Sequence, residues 1–379
     1  MISRIKFEIE DLFKEIYNER LPKDVFISDD KTFADIQAAG LQSIIPIVDK
    51  LRENGRSDDY IRSHVFAFME NDVYLNYVQV KYPNIPVTFD IYKEDNNMKF
   101  DVLVGNDPYQ EQVGPKKTEP IWNKFFFKRM SLLKDGGYLT LIHPSGWRNI
   151  TGKFKDVQTM IKSKKVKFLS IHNEKDGMNT FGAETRYDYY VLQNVSNDGS
   201  ETTIRFQDGE IKNIVLDKME FIPNGGIDLL DRLIAKDGEE TVEMIHSYSD
   251  YETRKTWMSK TQTNEFIHPV VYTVDYLSQP TFHYSSTNQK GHFGKPKVIW
   301  SNGRISSIGN YVDETGEYGL TQFAYAIVDD VENLNNIKIA LDSKKFKNLM
   351  ELCAVGQLTV NHKVVSKFRK DFWREFINE

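Results

Sequence analysis

The sequence predicts an α/β fold: a mostly parallel sheet with helices on both faces, followed by a second domain of α+β character. Up to about Asn194, short apolar runs recur and each ends in a polar residue, with stretches of helical apolar spacing between them. Strands alternating with helices in this way give a sheet covered on both faces. Beyond that point turn-rich stretches take over, among them Ser196-Asn197-Asp198-Gly199-Ser200 and Asn224-Gly225-Gly226, and Thr, Ser and aromatic residues become frequent from Tyr248 to Tyr325. The division is placed at 1–215 and 216–379.

Residues 3–19 carry Ile5, Ile9, Leu12, Phe13 and Ile16 at helical spacing. A short strand is expected within Val25 to Ile36. Leu41 to Arg52 reads as a helix stopped by Asn54-Gly55, and Ser57-Asp58-Asp59 caps a short helix reaching Ser63. Three buried strands follow: Val65 to Met69 ending at Glu70, Val87 to Phe89 ending at Asp90, and Phe100 to Gly105 ending at Asn106. Ile121 to Leu133 is an amphipathic helix closed by Lys134-Asp135-Gly136-Gly137. Tyr138 to His143, Phe168 to His172 and Tyr187 to Gln193 complete the strands, and Leu334 to Glu379 is helical again. Parallel sheets bind ligands at the carboxyl ends of their strands, so Glu70, Asp90 and Asn106 are expected to border one site.

Composition narrows the function. No apolar run approaches a membrane span and the N-terminus is charged throughout, so a cytoplasmic protein without a membrane partner is expected. The single cysteine, Cys353, excludes an internal disulfide and a Cys-based zinc site, and no metal is expected. Net charge is −6, yet Gln112 to Ser170 holds 13 Lys/Arg against 3 Asp/Glu. Such a block draws phosphate to one face of an acidic protein; alternatively it is a set of solvated helix faces.

The sharpest motif is Phe100-Asp101-Val102-Leu103-Val104-Gly105-Asn106-Asp107-Pro108-Tyr109-Gln110. It resembles the Asn-Pro-Pro-Tyr motif of adenine-N6 DNA methyltransferases of the gamma-ordered, type IIG and TaqI-like (Eco57I-like) group. Leu132 to Trp147, which ends in Pro144-Ser145-Gly146-Trp147, is similar to that family's next helix and strand. The resemblance implies a Rossmann-like methyltransferase sheet at 1–215, S-adenosylmethionine as donor, and a flipped adenine in duplex DNA as acceptor. An exocyclic amine is a poor nucleophile, because its lone pair is delocalised into the ring. Two acceptors aimed at its hydrogens draw the nitrogen toward tetrahedral geometry, and positioning then supplies the catalysis without a strong base. By the resemblance these acceptors are the Asn106 side-chain oxygen and the Asp107 carbonyl, with Pro108 and Tyr109 completing the turn. Tyr109 stacks on the target base, and Phe181 is the candidate for its opposite face. The family has Pro where Asp107 stands, and that change removes a rigid φ.

By the same resemblance, Asp35, Ala39, Gly40, Glu70 and Asp90 hold the donor: Glu70 through the ribose hydroxyls and Asp90 through the adenine amine. The family's glycine-rich loop reads Asp-x-x-x-Gly-x-Gly, and here Ala39 and Leu41 occupy the glycine positions. A methyltransferase-like binder of DNA or of a partner that has lost methyl transfer is therefore an alternative, as is action on RNA or a protein glutamine. Residues 216–379 resemble a TaqI-like target-recognition domain, with Lys295, Lys297, Asn302 and Arg304 as candidate DNA contacts. Only about 30 residues precede the donor loop, too few for a nuclease domain, so any endonuclease is expected as a separate partner. The implied setting is modification in a bacterial cell or a phage-infected host.

Overall fold

The computed structural model describes residues 2–38, 40–93, 98–150, 152–355 and 359–377. Ala39 lies outside them. The chain divides into two compact units, 1–224 and 225–379.

The first unit begins with α1 (Ile2–Glu15), continued by a π-helical turn to Arg20 and a short α2 (Asp24–Ile27). Then come β1 (Phe33–Asp35), α3 (Ile45–Glu53), α4 (Asp58–His64), β2 (Val65–Met69), α5 (Asp72–Lys81), β3 (Thr88–Ile91) and β4 (Phe100–Asn106). After β4 the chain forms a small hairpin, β5 (Gln110–Gly114) and β6 (Lys117–Pro120). It continues through α6 (Trp122–Leu132), β7 (Leu133–Pro144), α7 (Lys155–Lys162), β8 (Lys164–His172), α8 (Glu174–Phe181), β9 (Tyr187–Ser196), β10 (Thr202–Arg205) and β11 (Ile211–Ile214).

Local chemistry sets the helix starts. The Ser57 hydroxyl accepts the Tyr60 N–H, and Asp58 and Asp59 fill the first turn of α4. Asn71 accepts the Val73 and Tyr74 N–H groups to start α5, and Asn173 with Asp176 forms a capping box for α8.

The sheet order is β11-β10-β8-β9-β7-β4-β1-β2-β3. Strands β1, β2, β3, β4 and β7 are mutually parallel, and β9 runs antiparallel to both β7 and β8. From β1 the chain winds outward through β2 to β3, then returns to β4 on the other side of β1. That reversal is a topological switch point, and it opens a crevice past the carboxyl ends of β1 and β4. Strand β4 is apolar along nearly its whole length because the sheet is covered on both faces. Val102 and Val104 join the core that holds Phe13, Ile16, Ile47 and Leu51 of the α1–α3 layer, whereas Gly105 faces α6.

Several details differ from the sequence reading: α3 begins at Ile45 instead of Leu41, and Lys134 to Gly137 belong to β7 instead of closing α6. β3 continues through Ile91, so Asp90 lies inside the strand instead of ending it. β10 and β11 extend the sheet past Asn194, into the stretch whose texture had changed.

The second unit carries α9 (Ile227–Leu233), β12 (Glu243–Ile245), β13 (Met258–Ser259), β14 (His268–Val274), β15 (Pro280–Ser285), β16 (Lys297–Ser301), β17 (Asn310–Asp313), β18 (Gly319–Leu320) and β19 (Ala324–Val328). The helices α10 (Val331–Asp342), α11 (Lys344–Cys353) and α12 (His362–Val365) follow. Its strands form two four-stranded sheets, β12-β19-β16-β17 and β13-β15-β14-β18, and α10 packs on β16 and β17. Among the described residues no helix is long and apolar enough to cross a membrane, and no three His, Cys, Asp or Glu side chains group to hold a metal ion.

Candidate active site

The turn Asn106-Asp107-Pro108-Tyr109 sits at the carboxyl end of β4, beside the switch point. Asp107 is buried, Pro108 is exposed, and Asn106 and Tyr109 are half-buried. The Asn106 Oδ1 is buried without a hydrogen-bond partner, as is the Tyr109 hydroxyl. A buried acceptor without a partner forfeits its solvation, and this amide oxygen at the sheet edge has its lone pairs open to a donor.

Beneath the turn lies a buried ion cluster. Arg129 of α6 is fully buried. Its Nη1 donates to both Asp107 oxygens at 2.5 and 2.7 Å, its Nη2 to Asp35 Oδ1 at 2.6 Å, and its Nε to the Val104 carbonyl at 3.1 Å. Space for the guanidinium exists because residue 105 is glycine: a Cβ there would stand 2.2 Å from Arg129 Nη2. Burial pushes the Asp107 carboxyl up to about 6, with Arg129 pulling down and the Asp35 carboxylate adding to the rise. The Asp107 carboxylate thus turns inward to Arg129, away from the solvent side of the turn.

The loop after β1 hangs on the same cluster. Asp35 Oδ1 also accepts the Gln37 N–H at 2.9 Å, and Oδ2 accepts the Ser43 hydroxyl at 2.5 Å. The Ala38 N–H bonds the Phe68 carbonyl, and the Tyr17 hydroxyl donates to the Ser43 carbonyl at 2.8 Å. Gly40 packs against the Gln42 side chain. Leu41 is buried in the core with φ of 56°, a left-handed backbone that suits glycine and strains a leucine. The backbone bend associated with glycine is thus kept at position 41 without the glycine.

Glu70, one residue past β2, and Asp90, near the end of β3, are exposed at the same sheet edge as Asn106. Their solvent-facing carboxylates fit the hydroxyl and amino hydrogens of a nucleoside. The Asp35 end fits a donor less simply, since Arg129, Ser43 and the Gln37 amide already engage both of its oxygens.

Phe181, at the end of α8, meets Tyr109 edge-on, with ring centroids 5.8 Å apart and planes at 71°. It also packs on Tyr187 at 4.9 Å and on the core. A base held between two rings needs about 7 Å between parallel faces, so the observed pair buttresses Tyr109 from the side. Trp147 Nε1 and Arg148 Nε both donate to Asp188 Oδ2, at 2.9 and 2.7 Å, which pins the segment after β7 to β9.

Charge is deployed differently from the sequence picture. Within the basic block, Arg129 and Arg148 are buried ion-pair partners, and Lys117, Lys124, Lys134 and Lys165 each pair with an acid. Less free positive charge remains for phosphate than the count suggests. In the second unit Lys297 is fully buried on Asp313 at 2.7 Å, which removes it from the candidate DNA contacts. Lys295 pairs with Glu243, while Asn302 and Arg304 are exposed.

Sequence reasoning missed Arg129. A signal was present: Trp122, Phe126, Arg129 and Leu132 share the buried stripe of α6, so a cation stood in register with the apolar face.

Residues 23–177 match the model of a family described as Eco57I restriction-modification methylase. No curated protein matches. Among solved structures, a nuclease-deletion mutant of the Type ISP restriction-modification enzyme LlaGI, in complex with a DNA substrate mimic, is similar with a TM-score of 0.50 and 11% identity, over 94% of this chain and 52% of that one. The type IIG restriction endonuclease BpuSI aligns over 99% of this chain and 60% of its own, with a TM-score of 0.48 and 10% identity. A type I methyltransferase subunit from Streptococcus thermophilus aligns over 55% and 50%, with a TM-score of 0.36 and 12% identity. The chain spans about half of the length of LlaGI and of the Streptococcus subunit. At these identities the likeness concerns the fold.

Proposed function

We propose that this chain, whose residues 23–177 match the model of the Eco57I restriction-modification methylase family, is a DNA methyltransferase that transfers a methyl group from S-adenosylmethionine to the N6 amine of an adenine turned out of duplex DNA. The observation that carries the reading is the buried, unpartnered Asn106 Oδ1 at the end of β4. Asn106 Oδ1 and the Asp107 carbonyl accept the two amine hydrogens and hold the lone pair toward the donor. Tyr109, braced from the side by Phe181, offers a ring face for the base. Glu70 and Asp90 hold the nucleoside part of the donor, and the backbone near Gly40 borders its methionine part. The donor, when bound, supplies an electrophilic methyl on sulfonium sulfur. As the nitrogen takes the methyl, the carbon–sulfur bond breaks and the donor leaves as its neutral thioether; the methylated amine gives up its proton to water. The second unit serves as the target-recognition domain, with Asn302 and Arg304 on its exposed surface.

One observation favours a second reading, a DNA- or partner-binding protein without methyl transfer. Leu41 fills the core where a glycine is expected, and the Asp35 carboxylate is already engaged. Calorimetric titration with S-adenosylmethionine separates the two. Saturable binding that weakens in Glu70→Ala supports the enzyme; no heat at millimolar donor leaves the binding protein.

A further inference from the structure

We propose that Arg129 is a positioning residue that sets the Asp107 carbonyl beside Asn106 Oδ1 and links that turn to the loop following β1. The second half of its purpose, placing an acceptor for an amine, rests on the function proposed above; the mechanical link does not.

A guanidinium is a planar fork whose N–H groups point in fixed directions. Here the fork takes partners from three stretches of backbone. Val104 lies within β4, Asp107 lies in the turn after it, and Asp35 ends β1. Holding all three fixes the turn relative to the strand that precedes it and to the strand beside it. Both Asp107 oxygens bond to one nitrogen, so the side chain has little torsional freedom and the attached carbonyl inherits that restraint. Position 107 thereby gains through a side-chain tether the stiffness that a proline ring would give through φ.

The Asp35 end carries the link further. The carboxylate that takes Arg129 also takes the Gln37 amide and the Ser43 hydroxyl. Displacement of either loop therefore acts on the other through one side chain. Stability alone is a poor reason for the cluster, because buried ion groups are commonly replaced by apolar side chains without loss. Gly105 argues the same way, since the sequence leaves out a side chain where the fork lies.

The test compares Arg129→Lys, which keeps the charge and loses the fork, with Asp107→Asn, which keeps an acceptor and loses the charge. Hydrogen exchange is followed by peptide-resolved mass spectrometry on the full chain. In Arg129→Lys, residues 36–43 and 106–110 are expected to exchange about tenfold faster together, while β7 and β9 keep their protection. In Asp107→Asn only 106–110 loosens. Methyl transfer by Arg129→Lys is expected to fall about 100-fold in kcat with KM for donor and DNA little changed. The inference is overturned if, in Arg129→Lys, either segment keeps wild-type exchange, or if protection drops uniformly across the sheet. A wild-type protein without methyl transfer overturns the proposed function, and the exchange pattern still decides the role of Arg129.

Discussion

Leu41 offers a sign reversal that follows from its backbone. Its φ of 56° costs an L-residue roughly 1–2 kcal/mol relative to glycine. The side chain is buried in the core of the first unit, and truncating such a leucine to alanine costs about 2–5 kcal/mol. Leu41→Ala loses the packing and keeps the strain. Leu41→Gly loses the same packing and relieves the strain, offset by about 0.5–1 kcal/mol of extra chain entropy. Leu41→Gly should therefore be the more stable of the two by up to about 1 kcal/mol, although both fall below the wild type. At an ordinary buried helical or strand position the order is the opposite. Urea unfolding followed by fluorescence, with midpoints compared at equal slope, reads the difference. An alanine variant equal to or more stable than the glycine variant would refute the left-handed conformation at this position.

Four further outcomes follow from buried charge and close packing. The Asp107 carboxyl, held at about 6, takes a proton as pH falls, so methyl transfer should decline below about pH 6; an unchanged profile in Asp107→Asn would assign the decline to another group. Stability runs in the other direction. The folded state binds this proton more tightly than the unfolded chain does, so the group's contribution to unfolding free energy decreases as pH rises from about 4 to about 6 and is level above. Gly105→Ala places a methyl 2.2 Å from a pinned Arg129 Nη2 and should cost about 1–3 kcal/mol, read by chemical denaturation, with methyl transfer falling alongside. Lys297→Met strands the buried Asp313 carboxylate and should cost about 3–5 kcal/mol, while Lys297→Met with Asp313→Asn recovers most of it; equal losses in both would remove the ion pair as the cause.

Much of the first unit was legible because its strands are buried on both faces and end in polar residues. Val65 to Met69 and Phe100 to Asn106 read directly as strands, and Ser57 announced α4 through its capping chemistry. The elements that escaped carry a hydrophobic pattern that does not separate a buried face from an exposed one. In α5 Leu75 and Val78 face the core, but Val73, Tyr74, Tyr77 and Val80 are all exposed, so the inward pair is masked by apolar residues on the outer face. The hairpin β5–β6 is polar and exposed along most of its length. In the site, Asn106, Glu70 and Asp90 were singled out as polar residues closing apolar runs; Asn106 ends β4 and Glu70 follows β2, whereas Asp90 lies inside β3. Arg129 was not, because a cation is expected on the wet side of a helix, and its two acids lie 94 and 22 residues away in sequence. Phe181 was recognised by type, but its edge-on pose against Tyr109 is a matter of packing that no spacing encodes.

The central claim is that the turn 106–109 holds an adenine amine for methylation. Duplex DNA incubated with the protein and methyl-tritiated S-adenosylmethionine, then digested to nucleosides and resolved by mass spectrometry, tests it most directly. The account predicts label in N6-methyl-2′-deoxyadenosine for the wild type and none for a folded Asn106→Ala. Label on another base, or undiminished label with Asn106→Ala, would contradict it.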